Sequence, residues 1–292
     1  MLVPSFTRIC AYSLLLMLLG QTPILAQEIS RPGQPGTFDH QTIVTRLAQA
    51  NIIYLGETHD RPQDHQAQLD IIKSLYQINP RLAIGLEMFQ RPYQSVLDRY
   101  LKGDLSEVEL LEQSQYSQRW GFPWQFYAPI LRLAKEYRLP LLALNTPSEV
   151  TRKVARQGLA SLTPAEQEFI PPLSDIDTSN PVYQNKIKQV YKDFHHGKDD
   201  PQAFERFWQA QVLWDETMAA TIADYVRRHP DRLVVVLAGQ GHVAFGYGIP
   251  SRVARRLAGQ LPRPLRQTTI LLNPDPELRQ ANSADYFWTS KP

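Results

Sequence analysis

The sequence predicts an α/β fold: a central, mainly parallel sheet flanked by helices, with a large helical insertion before the fourth core strand. Three observations predict it. Five short apolar runs, at residues 51–55, 82–86, 139–144, 233–238 and 268–272, are each bounded by turn residues. They are apolar nearly throughout, as strands are when a parallel sheet is covered on both faces. Helical periodicity fills the segments between them. The stretch of residues 146–232 reads as wholly helical and far exceeds the roughly dozen residues that a crossover needs, which makes it a helical lid or subdomain.

Taken in order, residues 1–26 read as a secretory signal. Arg8 precedes an apolar run from Ile9 to Gly20, and a small residue, Ala26, closes the segment. The run is short for a bilayer span, which needs about 20 apolar residues. Cleavage after Ala26 leaves about 266 residues, enough for a single domain with a substantial core. The one cysteine, Cys10, falls inside this signal. The mature chain therefore has no disulfide, no thiolate nucleophile and no cysteine-bound zinc. Export without disulfides suits a bacterial periplasm or exterior. Residues 27–37, polar and rich in Pro and Gly, read as a flexible lead-in to a single domain over residues 38–292. Ser106-Glu-Val-Glu109 and Thr163-Pro-Ala-Glu166 are capping boxes. Tyr127, Ile130, Leu131 and Ala134 form one apolar stripe, and Phe204, Phe207, Trp208, Val212, Met218, Ile222 and Tyr225 form another. With 31 basic against 29 acidic residues and no long basic run, nucleic acid is not an expected partner.

Ligands of open parallel sheets bind beyond the carboxyl ends of the strands. Those ends here offer Glu57 and His59 after the first run, Glu87 after the second, Asn145 after the third and His242 after the fourth. Two carboxylates with two imidazoles suit a borderline divalent ion such as Mn, Zn or Co. The alternative is a glutamate general base beside a histidine that moves the proton or steadies an oxyanion. Tyr247, in a Gly-Tyr-Gly segment behind His242, presents a phenol of the kind that ligates haem iron as tyrosinate; a packed loop aromatic is the plainer reading. Asp64 and His65 read as helix-start residues, with His65 either facing the cleft or exposed. His195 and His196 suit a helix C-terminus. Asp215 and Glu216 read as a solvated or capping face, and Arg252, Arg255 and Arg256, on a short helix, as ordinary surface, with pairing to carboxylates as the alternative. The aromatic cluster from Trp120 to Tyr127 reads as core or packed loop, with a flat ligand as the alternative.

The segments GETHDRPQDHQ, GLEMFQRP, LLALNTPSEV, WDETMA and GQGHVAFGYGIPSRV occur in this order. Together they resemble the ChaN-like haem-binding proteins, which share a superfamily with the Tiki and TraB proteins and the erythromycin esterases. The resemblance runs from about His40 to Asp285. It implies a parallel α/β core with helical decoration, export, and haem held at a homodimer interface in iron acquisition. Tyr247 or His242 is then the axial ligand, with His65 and Arg252 as further haem contacts. The same resemblance extends to metal-dependent proteases and Glu/His esterases, whose polar residues correspond to Glu57, His59, Glu87 and His242. A divalent-metal hydrolase is thus the alternative activity. ChaN itself is a lipoprotein, whereas the residues before Cys10 do not resemble a lipoprotein cleavage site, so no lipid anchor is expected.

Overall fold

The computed structural model describes residues 27–194 and 200–290. The expected signal with Cys10, and the His195–His196 pair, lie outside these residues. Eight strands form one sheet: β1 (Gln27–Arg31), β2 (Gln34–Phe38), β3 (Ile52–Glu57), β4 (Leu82–Gln90), β5 (Leu141–Asn145), β6 (Leu233–Gly239), β7 (Gln267–Leu272) and β8 (Tyr286–Ser290). Their spatial order is β2-β1-β8-β7-β3-β6-β4-β5. Every pairing from β8 to β5 is parallel, and only β1 pairs antiparallel, with β2 and with β8.

The five apolar runs all become strands, and their residues alternate between two cores. Ile53 and Leu55 of β3 join Ile84 and Leu86 of β4 in a core under the helices His40–Leu47, Pro62–Ile78 and Trp124–Tyr137. Ile52 and Tyr54 face the other way, towards Met218, Ile222 and Val226 of the helix Pro201–Arg228 and Val253 of the helix Ile249–Leu257. Period-two alternation with both faces covered explains why the runs read as continuously apolar.

One expectation is overturned at the amino end. Residues 27–37 are not a bare lead-in, because they supply β1 and β2, joined by a tight turn at Gly33 with φ +71°. β2 is an edge strand with an almost fully exposed backbone face. An edge strand can be polar and carry Pro and Gly, so hydrophobic patterning does not reveal it.

Both capping boxes form, Ser106 with Glu109 and Thr163 with Glu166. The described part of residues 146–232 contains helices and 3-10 turns and no strand. The 28-residue helix Pro201–Arg228 organises it. Its first half packs against the helix Pro181–Phe194 through Tyr183, Ile187, Phe204 and Trp208, and its second half covers the sheet. Among the described residues no helix is long and apolar enough to cross a membrane.

Candidate functional site

β6 lies between β3 and β4, so three strand ends meet at one edge of the sheet. The register sets Glu57 level with Gly239, and Leu86 level with Leu237. Glu57, Glu87 and the Gly239–His242 turn are thereby neighbours, although nearly two hundred residues separate the first from the last. Gly239 has to lack a side chain here. A Cβ would stand 2.9 Å from the His59 ring, so glycine lets the imidazole lie directly over the strand end.

Glu57 is fully buried and saturated. Its Oε1 accepts a 2.5 Å bond from the Tyr127 hydroxyl and lies 2.8 Å from His59 Nδ1, while Gln68 Nε2 donates to Oε2 at 2.5 Å. Burial, with the Glu57 charge beside it, pushes the Tyr127 phenol far above its ordinary pKa, which keeps the donated proton on tyrosine. The His59 ring is partly exposed and packs against Trp120 and Phe122 at centroid distances of 4.8 and 4.9 Å. Its Nε2 makes no hydrogen bond to a described residue. Burial disfavours the imidazolium, but the bond to Glu57 and the charge of Glu87 outweigh that and raise its pKa.

Around His242 the second half of the cluster forms. Asp215 Oδ1 lies 2.7 Å from Nδ1, and Glu87 Oε1 lies 3.3 Å from Nε2. Glu87 also accepts a 2.7 Å bond from the Gly239 amide. Tyr183 donates to Asp215 Oδ2 at 2.9 Å, and Gln211 donates to the Tyr183 oxygen. Burial works against the charged ring, yet Glu87 and Asp215 hold the His242 pKa up at about 10. Burial likewise opposes the Glu87 carboxylate, and His242 and His59 hold it down at about 2.

These opposed shifts fix the sign of a pH dependence. His242, raised from 6.5, adds stability that is complete below 6.5 and is lost as pH rises towards about 10. Glu87, lowered from 4.5, adds stability that is complete above 4.5 and is lost as pH falls towards about 2. The pair therefore contributes fully between 4.5 and 6.5. Thermal unfolding measured from pH 6 to 10 should show a falling midpoint, and His242→Gln should flatten most of that slope. An unchanged slope in the variant would refute the assignment.

Several residues stand elsewhere than the sequence suggests. Asp64 does stand in the first turn of the helix Pro62–Ile78, but it is completely buried. It accepts from the Thr58 amide at 2.8 Å and from Asn273 Nδ2 at 2.6 Å, and burial lifts its carboxyl to about 6 against both bonds. His65 is buried as well, stacked on Phe126 with its nitrogens near Gln68 Oε1 and the His59 carbonyl. It presents no free nitrogen to the cleft. Asp215 and Glu216 are fully buried, not a solvated face.

Glu216 sits within 2.6 to 3.2 Å of Arg252, Arg255 and Arg256, which overturns their reading as ordinary surface. Arg252 is buried too, and its guanidinium also bonds the carbonyls of Tyr247 and Gly248. It ties the Tyr247 loop to the long helix. Asn145, level with the end of β4, braces the strand pair by donating to the Glu87 carbonyl at 3.0 Å.

The proposed metal set of Glu57, His59, Glu87 and His242 is not supported. No group of three or more His, Asp or Glu among the described residues is placed to hold an ion. The physical reason is visible in the bonds: Glu57 is committed to Tyr127, His59 and Gln68, and His242 is held between Asp215 and Glu87. An imidazolium flanked by carboxylates has no lone pair for Mn, Zn or Co.

Tyr247, five residues after His242, is half-buried. Its ring is nearly parallel to that of Phe245, 5.8 Å away and 12° inclined, and packs 6.2 Å from Tyr183. Its hydroxyl bonds to no described residue. Phe245 takes a left-handed φ of 60°, anchored by its amide bond to the Ser283 carbonyl, and Lys186 Nζ stands 3.6 Å over its ring. Gly248 follows where the chain folds back against the His242 carbonyl, and a Cβ there would collide with that oxygen. Gly248→Ala should cost about 3 kcal/mol, read by urea denaturation, because backbone has to move to relieve the clash. A loss below about 0.5 kcal/mol would contradict the close approach.

Sequence reasoning missed Gln68, Tyr127, Tyr183 and Gln211. Tyr127 had a visible signal, a phenol on the apolar stripe of its helix, where a buried hydroxyl needs a partner. Gln68, three residues after His65 on one helix face, had a weaker one. Tyr183 and Gln211 had none.

Fold and site together define an open, mostly parallel α/β protein that gathers its polar chemistry at the carboxyl edge of the sheet, beside the helix Pro201–Arg228. The family described as haem-binding uptake, Tiki superfamily, ChaN matches residues 43–253, and the chain belongs to that ChaN family. The structure superposes on the haem-binding ChaN of Campylobacter jejuni, described for its cofacial haem binding, with a TM-score of 0.72 and 17% identity, covering 91% of this chain and 97% of that one. A curated relative, Protein RETICULATA-RELATED 5, chloroplastic, from Arabidopsis thaliana, is 26% identical over 276 residues, or 86% of this chain. The chain spans 36% of that protein's length.

Proposed function

We propose that this protein binds haem, with the Tyr247 phenolate as iron ligand, and serves in haem or iron handling. One observation carries the choice of ligand. The Tyr247 hydroxyl is free among the described residues, whereas both ring nitrogens of His242 face carboxylates. Phenolate oxygen is an established ligand for ferric haem, and a cationic imidazole is not.

The surroundings fit a haem. Phe245 and Trp214 are both partly buried beside Tyr247 and His242, where flat apolar surface can lie against a macrocycle, and the exposed ammonium of Lys186 suits a propionate. The ion-paired Arg252 and the buried His65 act on the scaffold and do not face the ligand. The bound group supplies the iron. The chain supplies the oxygen that holds it and a rigid loop, pinned by Arg252, that orients that oxygen.

The reading extends to a homodimer that shares this face, consistent with the cofacial haem of the Campylobacter jejuni protein. It also extends to an exported, periplasmic or secreted role in uptake, supported by the signal-like residues 1–26. Titration of the purified chain with haemin tests the core of it. A Soret band that shifts and saturates at one haem per chain is expected, and absence of a saturable shift at micromolar protein would reject haem binding.

A further inference from the structure

A cavity of about 400 Å³ lies away from the Glu/His cluster, beside the outer edge of β5. An outer strand ordinarily exposes unpaired amides and carbonyls. Here the Gln94 carboxamide occupies them, donating to the Leu141 carbonyl at 2.8 Å and accepting from the Ala143 amide at 2.7 Å. The polar groups left to the cavity are thus side chains. Arg91 is the chief one. It is half-buried, has no carboxylate within ion-pair distance among the described residues, and spends one N–H on the Phe169 carbonyl at 3.0 Å. A guanidinium carries five donors, so several remain unmatched among the described residues. Arg228 and His229 line the same space, against one acid, Asp98, whose Oδ1 already accepts from Gln94. Pro140 and Phe169, both partly exposed, give its lining an apolar part.

We propose that this cavity binds a small amphipathic carboxylate. Its anionic head pairs with Arg91, aided by Arg228 and His229, and its hydrocarbon lies on Phe169 and Pro140. A forked guanidinium in a partly desolvated site is the group best shaped for a carboxylate. The volume falls within the range of small-molecule sites, about 300–1,000 Å³. Burial lowers the Arg91 pKa, and an anion seated there would relieve that unfavourable desolvation.

The test uses three probes on the whole chain, followed by amide chemical shifts: hexanoate, hexanol and inorganic phosphate. Hexanoate should saturate with shifts centred on Ala143 and Phe169. Hexanol, with the same tail, and phosphate, with charge alone, should each bind at least about tenfold more weakly. Arg91→Gln should weaken hexanoate about tenfold or more. Because Arg91 also tethers Phe169, Arg228→Gln at an exposed position gives a second reading, a smaller but measurable weakening. Haemin titration of both variants should match the parent chain, which separates this cavity from the Tyr247 site. No saturable response to hexanoate, equal response to hexanol, or parental hexanoate affinity in either folded variant would overturn the proposal.

Discussion

Replacing Glu216 with alanine should destabilise the fold by about 3–5 kcal/mol, more than any surface substitution in this chain. Glu216 is fully buried and pairs with Arg252, itself buried, and with Arg255 and Arg256, which also meet Asp177 and Asp175. Its Oε1 also accepts the Asp177 amide at 3.2 Å. Removing the carboxylate leaves a buried guanidinium uncompensated, an outcome much costlier than the modest net worth of the intact pairs. Against a typical total stability of about 5–15 kcal/mol, the loss would bring the chain close to unfolding at 37 °C. Glu216→Gln keeps the volume but not the charge and should fall between the two. Urea denaturation checks both, and a loss under about 1 kcal/mol for Glu216→Ala would show that the cluster is solvated. The cluster joins the helix Ile249–Leu257 to the long helix, and through Arg252 it fixes the carbonyls of Tyr247 and Gly248. Damage to it should therefore loosen the haem-binding loop before the sheet gives way.

Tyr247→Phe should have the converse profile. The hydroxyl bonds to no described residue, so its loss should change stability by no more than about 0.5 kcal/mol. Haem affinity should fall far more. Losing a hydrogen-bond partner of a metal ligand already costs about 10- to 100-fold, so losing the ligand itself should exceed about 100-fold. Competition between parent and variant for limiting haemin, followed in the Soret region, gives the ratio. Near-equal affinity would move the iron ligand elsewhere. A stable chain that no longer holds haem would be hard to explain by anything except ligation.

The sheet was legible where burial is two-sided. β3 to β7 announce themselves because a strand covered on both faces must be apolar, and turn residues mark its ends. β1, β2 and β8 were not read: β1 and β2 are short polar strands, with β2 at the edge, and β8, Tyr286–Ser290, is a short aromatic stretch after a gap without pattern. The strand-end rule names Glu57, His59, Glu87 and His242, which lie side by side. What it did not convey is how fully they are bonded. Asp215 and Glu216 illustrate the limit. Charged residues on a helix are usually solvated, and nothing local reveals that their partners arrive from His242 and from Arg252, Arg255 and Arg256. Asp64 and His65 show the same gap: a helix N-terminus explains an acid there, while the partner that buries Asp64 is Asn273, 209 residues on. Ion pairing across such separations is set by topology, and a single sequence displays topology only faintly.

The most direct test of the account is the ligand of the ferric iron. Resonance Raman spectra of the haemin complex should contain phenolate modes, enhanced through a tyrosinate-to-iron charge-transfer band. Those modes should vanish in Tyr247→Phe and persist in His242→Gln. Phenolate modes that survive Tyr247→Phe, or a spectrum of histidine ligation that disappears in His242→Gln, would contradict it.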